Sequence, residues 1–256
     1  LDAQVIINTS PVVMYPKSGA SPLDLDLFHC LEAVLDVVYN PLSTKLVLDA
    51  KDRGLPGVNG LEMLVAQAKQ AVEHFLDTLI DDAVIDTLYK KIERERNNVI
   101  LIGMPSAGKT TIGQSVAQRC GKEFIDMDAY IVENCGKSIP QIFEESGENG
   151  FRTRESEAAI ALAGRNGAVI ATGGGIVKHK VNMDYLRQNG IVFFIDRSLD
   201  KLITTDDNRP LSSSAQAVAR MYEERIELYR KYADHIVDNN TTIDACAERI
   251  TEILNR

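Results

Sequence analysis

The chain has 256 residues, 45% of them hydrophobic and 25% charged, and a net charge of −9 at pH 7. This is globular composition for one large or two modest domains. The acidic balance argues against a nucleic-acid partner, and no apolar run is long enough to span a bilayer, so no membrane partner is expected. Leu1-Asp-Ala-Gln4 carries neither an initiator Met nor a basic n-region; the expectation is a chain whose beginning is missing and that has no signal peptide. Cys30, Cys120, Cys135 and Cys246 contain no C-x-x-C pair. They predict reduced, mostly buried thiols in a cytoplasmic protein, without a zinc site.

From the amino end, Gln4–Asn8 and Ala33–Tyr39 read as short buried strands. Ser43–Arg53 has helical spacing and meets a C-cap at Gly54. After Gly60, the residues Leu61, Leu64, Val65, Ala68, Val72, Phe75, Leu76 and Leu79 predict one face of a long amphipathic helix. Asp81-Asp82 caps a further helix over residues 83–89, and the charged Lys90–Arg96 reads as a solvated helix end leading to a junction. The chain is therefore expected to divide into residues 1–96 and 97–256, with no internal repeat and no low-complexity tract.

Beyond the junction, strands over Asn98–Ile102, Glu123–Asp126, Ala168–Thr172 and Ile191–Asp196 alternate with helices. The helices fit Thr110–Cys120, Ser138–Ser146, Phe151–Gly164, Val181–Gln188, Ala215–Ala233 and Ile243–Asn255. Such alternation predicts an α/β fold, with a parallel sheet covered by helices on both faces. Ligands of such sheets bind at the carboxyl ends of the strands.

Residues Gly103-Met-Pro-Ser-Ala-Gly-Lys-Thr110 form a full G-x-x-x-x-G-K-[ST] loop between a strand and a helix. Its glycines let backbone N–H groups approach phosphates, and the next helix turns its positive end to them. Lys109 is placed to reach the β- and γ-phosphates, and the Thr110 hydroxyl to ligate Mg²⁺. The prediction is a nucleoside triphosphate site, as against a Gly-rich turn with a chance Lys. Asp126-Met-Asp128 ends the next strand, where two carboxylates two residues apart would face the same way on an extended chain. One would hold Mg²⁺ through water and the other would receive a hydroxyl proton; the alternative is a polar strand-end turn. Gly173-Gly-Gly175 is either a surface for close contact with a small ligand or a tight turn. Arg152 at a candidate helix start, Arg209 in the lid-like polar segment 204–214, and Arg225 on the 222–230 helix either clamp a carboxylate or phosphate or form surface ion pairs.

Taken together, Gly103–Thr111, Asp126-Met-Asp128, Gly147-Glu-Asn-Gly-Phe-Arg152, Gly173-Gly-Gly175, Arg209-Pro-Leu211 and Glu224-Arg225 followed by Leu228-Tyr229 resemble shikimate kinases. The resemblance covers essentially all of residues 97–256. It implies a P-loop kinase domain that transfers the γ-phosphoryl of ATP to the 3-hydroxyl of shikimate, a step of chorismate and aromatic amino acid biosynthesis. It implies that Asp128 contacts the shikimate hydroxyls as base or orienter, that Arg152 and Arg225 bind the carboxylate, and that Gly173, Gly174 and Gly175 line the pocket. Lys109 and Arg209 would stabilise charge on the transferring phosphoryl, and Thr110 and Asp126 would serve Mg²⁺. ATP would lie on Gly103, Ser106, Ala107, Gly108, Lys109, Thr110, Thr111 and Arg209. Where the family commonly places an Arg that packs against adenine, this chain has Leu202-Ile203-Thr204. Weaker nucleotide affinity or base selectivity is expected, with phosphoryl chemistry intact. The competing assignment is another P-loop small-metabolite kinase of the gluconate type.

The first part carries a second resemblance. Ile7-Asn-Thr-Ser-Pro-Val-Val-Met14, Leu35–Leu42 and Asn59–Ala68 resemble the C-terminal part of shikimate dehydrogenases, over residues 1–80. This implies a partial Rossmann-like α/β segment, half of an NADP-binding domain plus a returning helix. Tyr39 and Gln67 would lie near shikimate and Met63 near the nicotinamide. The family's catalytic Lys and Asp belong to a preceding domain, residues 1–96 contain no G-x-G-x-x-G, and Val13 replaces a Gly usual in the family. Hydride transfer by this chain alone is not expected. The segment reads as the tail of a longer dehydrogenase–kinase fusion, or as a module for self-association or partner docking through an apolar face and edge left exposed.

Overall fold

Two all-parallel sheets organise the chain. The structure is a computed structural model that describes residues 1–15, 18–202 and 215–255. It divides into one unit of Leu1–Asn97 with Arg187–Asn189 and another of Asn98–Leu186 with Gly190–Arg256.

In the first unit, β1 (Val5–Asn8), β2 (Ala33–Asp36) and β3 (Gly57–Val58) pair in the order β1-β2-β3. The Thr44 hydroxyl caps α1 (Lys45–Asp52), and α1 packs Leu46 and Ala50 on Ile6 and Val34. The alternate residues Val5, Ile7, Leu35 and Val58 are exposed. Strand alternation gathers them on one side, so this sheet has one bare apolar face, whereas parallel sheets normally have both covered. The second strand stops at Asp36 rather than running to Tyr39. Its buried carboxylate accepts from Val38 N–H at 3.1 Å, Asn8 Nδ2 at 3.0 Å and Thr44 Oγ1 at 2.7 Å, which turns the chain.

Helix α2 (Leu61–Leu76) pairs with α3 (Ala83–Arg96) through Leu61, Val65, Ile85, Tyr89 and Ile92. The apolar stripe anticipated from Leu61 to Leu79 is buried only at its start. The helix ends at Asp77, in the left-handed conformation with φ 48°, and Phe75 and Leu79 are 87% and 94% exposed.

The second unit runs β4 (Asn98–Ile102), α4 (Lys109–Cys120), β5 (Glu123–Asp126), α5 (Met127–Cys135), α6 (Ile139–Ala163), β6 (Ala168–Ala171) and α7 (Lys180–Arg187). It continues with β7 (Gly190–Asp196), α8 (Leu199–Leu202), α9 (Ala215–Tyr232), β8 (His235–Asp238) and α10 (Ile243–Leu254). The strand order is β5-β6-β4-β7-β8. Every residue of β4 and β6 is buried, as strands covered on both faces must be. Four of these elements escaped the hydrophobic pattern, among them the four-residue α8. β3 has two residues, β8 is an edge strand with Val237 as its buried residue, and α5 begins directly where β5 ends. The two helices anticipated over 138–164 form one element, broken at Gly147 (φ 67°, ψ −169°). Of the four free cysteines only Cys246 is buried, and Cys30 is exposed, so the thiols are less buried than their usual preference suggests.

Asn98, 1% exposed, staples β4 to the start of β6: its Oδ1 accepts from Ala168 N–H at 2.9 Å and its Nδ2 donates to the Arg165 carbonyl at 2.8 Å. Asn98→Ala leaves both backbone groups without these partners. The variant is expected to lose about 2 kcal/mol of stability, read from the urea midpoint; an unchanged midpoint would show that water replaces the staple.

Candidate functional site

Strand β4 delivers the chain into the loop 103–108, and α4 leaves it at Lys109. Gly103, Ser106 and Gly108 hold positive φ angles of 146°, 63° and 91°. Ser106 pays the steric penalty that glycine escapes. Lys109 is 8% exposed, and its Nζ donates to the carbonyls of Gly103 and Met104, each at 2.8 Å. Its side chain therefore folds along its own loop. Thr110 Oγ1 donates to Asp126 Oδ2 at 2.8 Å, and exposed Thr111 follows in the first turn of α4.

The Asp126-Met-Asp128 segment differs from an extended strand end. Asp126 is the N-cap of α5, its Oδ1 accepting from the N–H groups of Asp128 at 3.0 Å and Ala129 at 3.2 Å. Asp128 therefore sits on the first helical turn. A strand-to-helix turn, not the pleat, sets the relation between the two carboxylates. Asp126 faces Thr110, and Asp128 faces the glycine run after β6.

That run, Gly173-Gly-Gly175, is shaped by what packs against it. A Cβ on Gly173 would lie 2.8 Å from Glu155 Oε1 and 3.2 Å from Asp128 Oδ1. One on Gly174 would lie 2.7 Å from Pro105 Cδ, and one on Gly175 2.3 Å from Arg152 Nη1. The glycines thus present bare main chain to charged side chains and to the phosphate loop. The Gly174 carbonyl accepts from Arg225 Nη1 at 3.1 Å and from the Tyr229 hydroxyl at 2.5 Å. Arg152 Nη1 donates to Glu155 Oε2 at 2.8 Å, while its Nε and Nη2 reach Glu148 Oε1 at 3.3 and 3.0 Å. With Arg152 9% and Arg225 4% exposed, neither is a surface ion pair. Arg152 lies inside α6 beyond the Gly147 break, not at a helix start.

Glu155 was not singled out in the sequence, and Tyr229 and Pro105 stood there only within motifs, with no role assigned. The signals were an i,i+3 spacing from Arg152 and an i,i+4 spacing from Arg225, both common on helices. Glu155 is 0% exposed, and its Oε1 accepts no hydrogen bond among the described residues. Burial pushes its carboxyl above the ordinary range, Arg152 pulls it back, and Asp128 adds to the rise. Burial opposes the charge on Arg152, but Glu155 and Glu148 outweigh it and hold the guanidinium pKa high. Burial also pushes the Tyr229 phenol up, so it stays protonated as the donor to Gly174. Arg209, with Ile203 and Thr204, lies outside the described residues.

The fold and this loop define an α/β P-loop kinase, with the phosphate loop and the glycine run leaving adjacent strands of one sheet. The family model for shikimate kinase matches residues 105–255, more than half of the chain. A shikimate kinase from Clostridium botulinum (strain Alaska E43 / Type E3) is 43% identical over 162 residues, covering 62% of this chain and 98% of that protein. The solved shikimate kinase from Acinetobacter baumannii in complex with shikimate is 34% identical, with a TM-score of 0.62 over 65% of this chain and 97% of that one. The chain belongs to the shikimate kinase family. Its N-terminal part is similar to a chorismate mutase/shikimate 5-dehydrogenase fusion protein from Clostridium acetobutylicum, at 38% identity and a TM-score of 0.34 over 36% of this chain and 34% of that one.

Gly175→Ala forces the Arg152 guanidinium away from the main chain. It is expected to raise KM for a carboxylate substrate by about tenfold or more, the scale of a lost charge-assisted hydrogen bond; an unchanged KM would separate Arg152 from substrate binding. Glu155→Gln tests the burial of charge. The native state binds this proton more tightly than the unfolded chain. Its stabilising contribution is therefore full below the ordinary glutamate pKa and lost as pH rises through the raised native one. Relative to Glu155→Gln, the wild type should lose stability with rising pH in that window, read from urea midpoints; parallel curves would place the native pKa at its ordinary value.

Proposed function

We propose that the chain transfers the γ-phosphoryl of ATP to the 3-hydroxyl of shikimate, with Mg²⁺, as a cytoplasmic step of aromatic amino acid biosynthesis. The observation that carries this reading is the approach of Asp128, Arg152 and Arg225 to the bare Gly173–Gly175 main chain, on strand ends adjacent to the phosphate loop. Two buried guanidinium groups suit an acceptor with a carboxylate. Gluconate also carries a carboxylate, so the preference for shikimate over the gluconate-type alternative is supported by the family match over residues 105–255 and the 43% identical relative.

In this reading Arg152 and Arg225 orient the acceptor through its carboxylate, and Gly173, Gly174 and Gly175 let it lie close to the main chain. Asp128 holds the attacking hydroxyl and takes its proton as the new O–P bond forms and the bond from the γ-phosphorus to the bridging oxygen breaks. The backbone N–H groups of Gly103, Ser106, Ala107, Gly108, Lys109, Thr110 and Thr111 receive the phosphates. Lys109 exchanges the carbonyls of Gly103 and Met104 for the transferring group, and Arg209 neutralises charge beside it. The Thr110 hydroxyl and the Asp126 carboxylate, 2.8 Å apart, are hard oxygen donors of the kind Mg²⁺ takes. Bound there, the ion would neutralise the β- and γ-phosphate oxygens.

The same proposal treats residues 97–256 as the kinase domain and residues 1–96 as a dehydrogenase-like segment without hydride-transfer activity of its own. The exposed Val5, Ile7, Leu35 and Val58 support an association surface for another protein chain on that segment. No nucleic-acid or membrane partner is proposed. No helix among the described residues is long and apolar enough to cross a membrane.

A coupled ADP-release assay with ATP, Mg²⁺ and either shikimate or gluconate tests the reaction. Turnover should depend on shikimate, and its absence would reject the reading. Lys109→Ala and Asp128→Asn should each lower kcat by a factor on the order of 10² or more. Arg225→Ala should act chiefly on KM for shikimate; near-normal turnover in Asp128→Asn would remove that residue from proton transfer.

A further inference from the structure

Nothing in the sequence marks Asn239; beside Asn240 it reads as turn chemistry after a short strand. In the structure it is 3% exposed, immediately beyond β8, and its Nδ2 donates to the carbonyl of Ala107 at 2.7 Å. Its own backbone N–H donates to the Asp196 carbonyl at 2.7 Å, which fixes it to the end of β7. A Cβ on Gly108 would lie 2.9 Å from Asn239 Nδ2, so the second glycine of the phosphate loop leaves room for this side chain.

The consequence follows from the planarity of the peptide bond. In a trans peptide the carbonyl and the next N–H point in opposite directions. Holding the Ala107 carbonyl toward Asn239 therefore turns the Gly108 N–H to the opposite side, the hollow of the loop where phosphate oxygens are received. The loop needs such a restraint. Ser106 holds a left-handed φ of 63°, a conformation that a residue with a Cβ keeps only when its surroundings over-determine it. The carbonyls of Gly103 and Met104 are bound from within the loop by Lys109, whose amine is the group that phosphate chemistry would draw away. The bond from Asn239 comes from another strand and needs no such exchange. The next residue ties down the neighbouring segment: Asn240 Oδ1 accepts from Ser198 N–H at 2.9 Å, and its carbonyl accepts from Lys201 Nζ at 2.6 Å.

We propose that Asn239 is a positioning residue for nucleotide binding, holding the Ala107–Gly108 peptide in the orientation that presents its N–H to the phosphates of ATP. The inference rests on the kinase reading above only for its turnover measurements, because ATP binding can be titrated without the acceptor.

The full chain carrying Asn239→Ala, Asn239→Thr or Asn239→Val is titrated with ATP by calorimetry, and separately with shikimate. Asn239→Ala should weaken ATP binding by about tenfold, the size of one net hydrogen bond, with shikimate affinity unchanged. Thr and Val have the same shape, and only Thr offers a hydroxyl donor to the Ala107 carbonyl. Asn239→Thr should therefore keep ATP affinity near the wild type while Asn239→Val behaves like Asn239→Ala, and KM for ATP should move in step. Equal ATP affinity in the Thr and Val variants overturns the proposal, as does a parallel loss of ATP and shikimate affinity, which marks general loosening of the fold. If the wild-type chain binds ATP but releases no ADP with shikimate, the kinase reading falls, and the Thr/Val comparison still decides Asn239.

Discussion

The candidate site depends on two neighbouring strands ending together. Leu101 of β4 pairs with Ala171 of β6, and the Leu101 carbonyl accepts from Thr172 N–H at 3.1 Å and from its hydroxyl at 2.9 Å. Past that point the chain from β4 becomes the phosphate loop and the chain from β6 becomes the glycine run. They stay in contact, Pro105 against Gly174, because the second has no side chains to hold the first away. Any acceptor lying on Gly173–Gly175 is then next to the phosphate loop. Proximity of this kind supplies most of what phosphoryl transfer asks of a protein.

Around that contact the electrostatics are those of a partly dry site. Arg152 and Arg225 are buried, and buried charges are tolerated only with partners. Arg152 has Glu155 and Glu148, and Arg225 has the Gly174 carbonyl with Glu224 nearby, its Nε 3.6 Å from Glu224 Oε2. Glu155 is the costliest member, fully buried with one oxygen lacking a hydrogen bond among the described residues. A group held in that state keeps Arg152 charged and aimed. The two acidic residues at the end of β5 have separated tasks for a similar reason: capping α5 ties Asp126 toward Thr110 and leaves Asp128 toward the glycines.

The two sheets show how burial on both faces is read from composition and where that reading fails. In β4 and β6 continuous apolar runs meant strands covered on both sides, and both are. In β1 and β2 equally apolar residues are exposed on one side, because α1 covers only the face of Ile6 and Val34. The α2 stripe is similar: Leu61 and Val65 meet α3, and Phe75 extends beyond it. Hydrophobic periodicity specifies a face that wants covering, and says nothing about whether the covering element is present.

The sequence by itself determined the phosphate-loop motif and the succession of strands β4 to β7, and it marked Lys109, Thr110, Asp126, Asp128, Arg152, Gly173–Gly175 and Arg225 as candidates. These are set by short-range rules: periodicity, turn residues, and motifs whose spacing is fixed by a single turn. Tertiary structure alone decided that Asp128 stands on a helix, that Arg152 lies within one, and that Glu155, Tyr229 and Asn239 belong to the same neighbourhood. The places of Tyr229 and Asn239 depend on hydrogen bonds between residues far apart in the chain that the fold brings together. Asn239 and Ala107 are bonded across an interval of 132 residues, a distance over which local sequence carries no signal. The pairing of β7 with β8 is what brings them into reach.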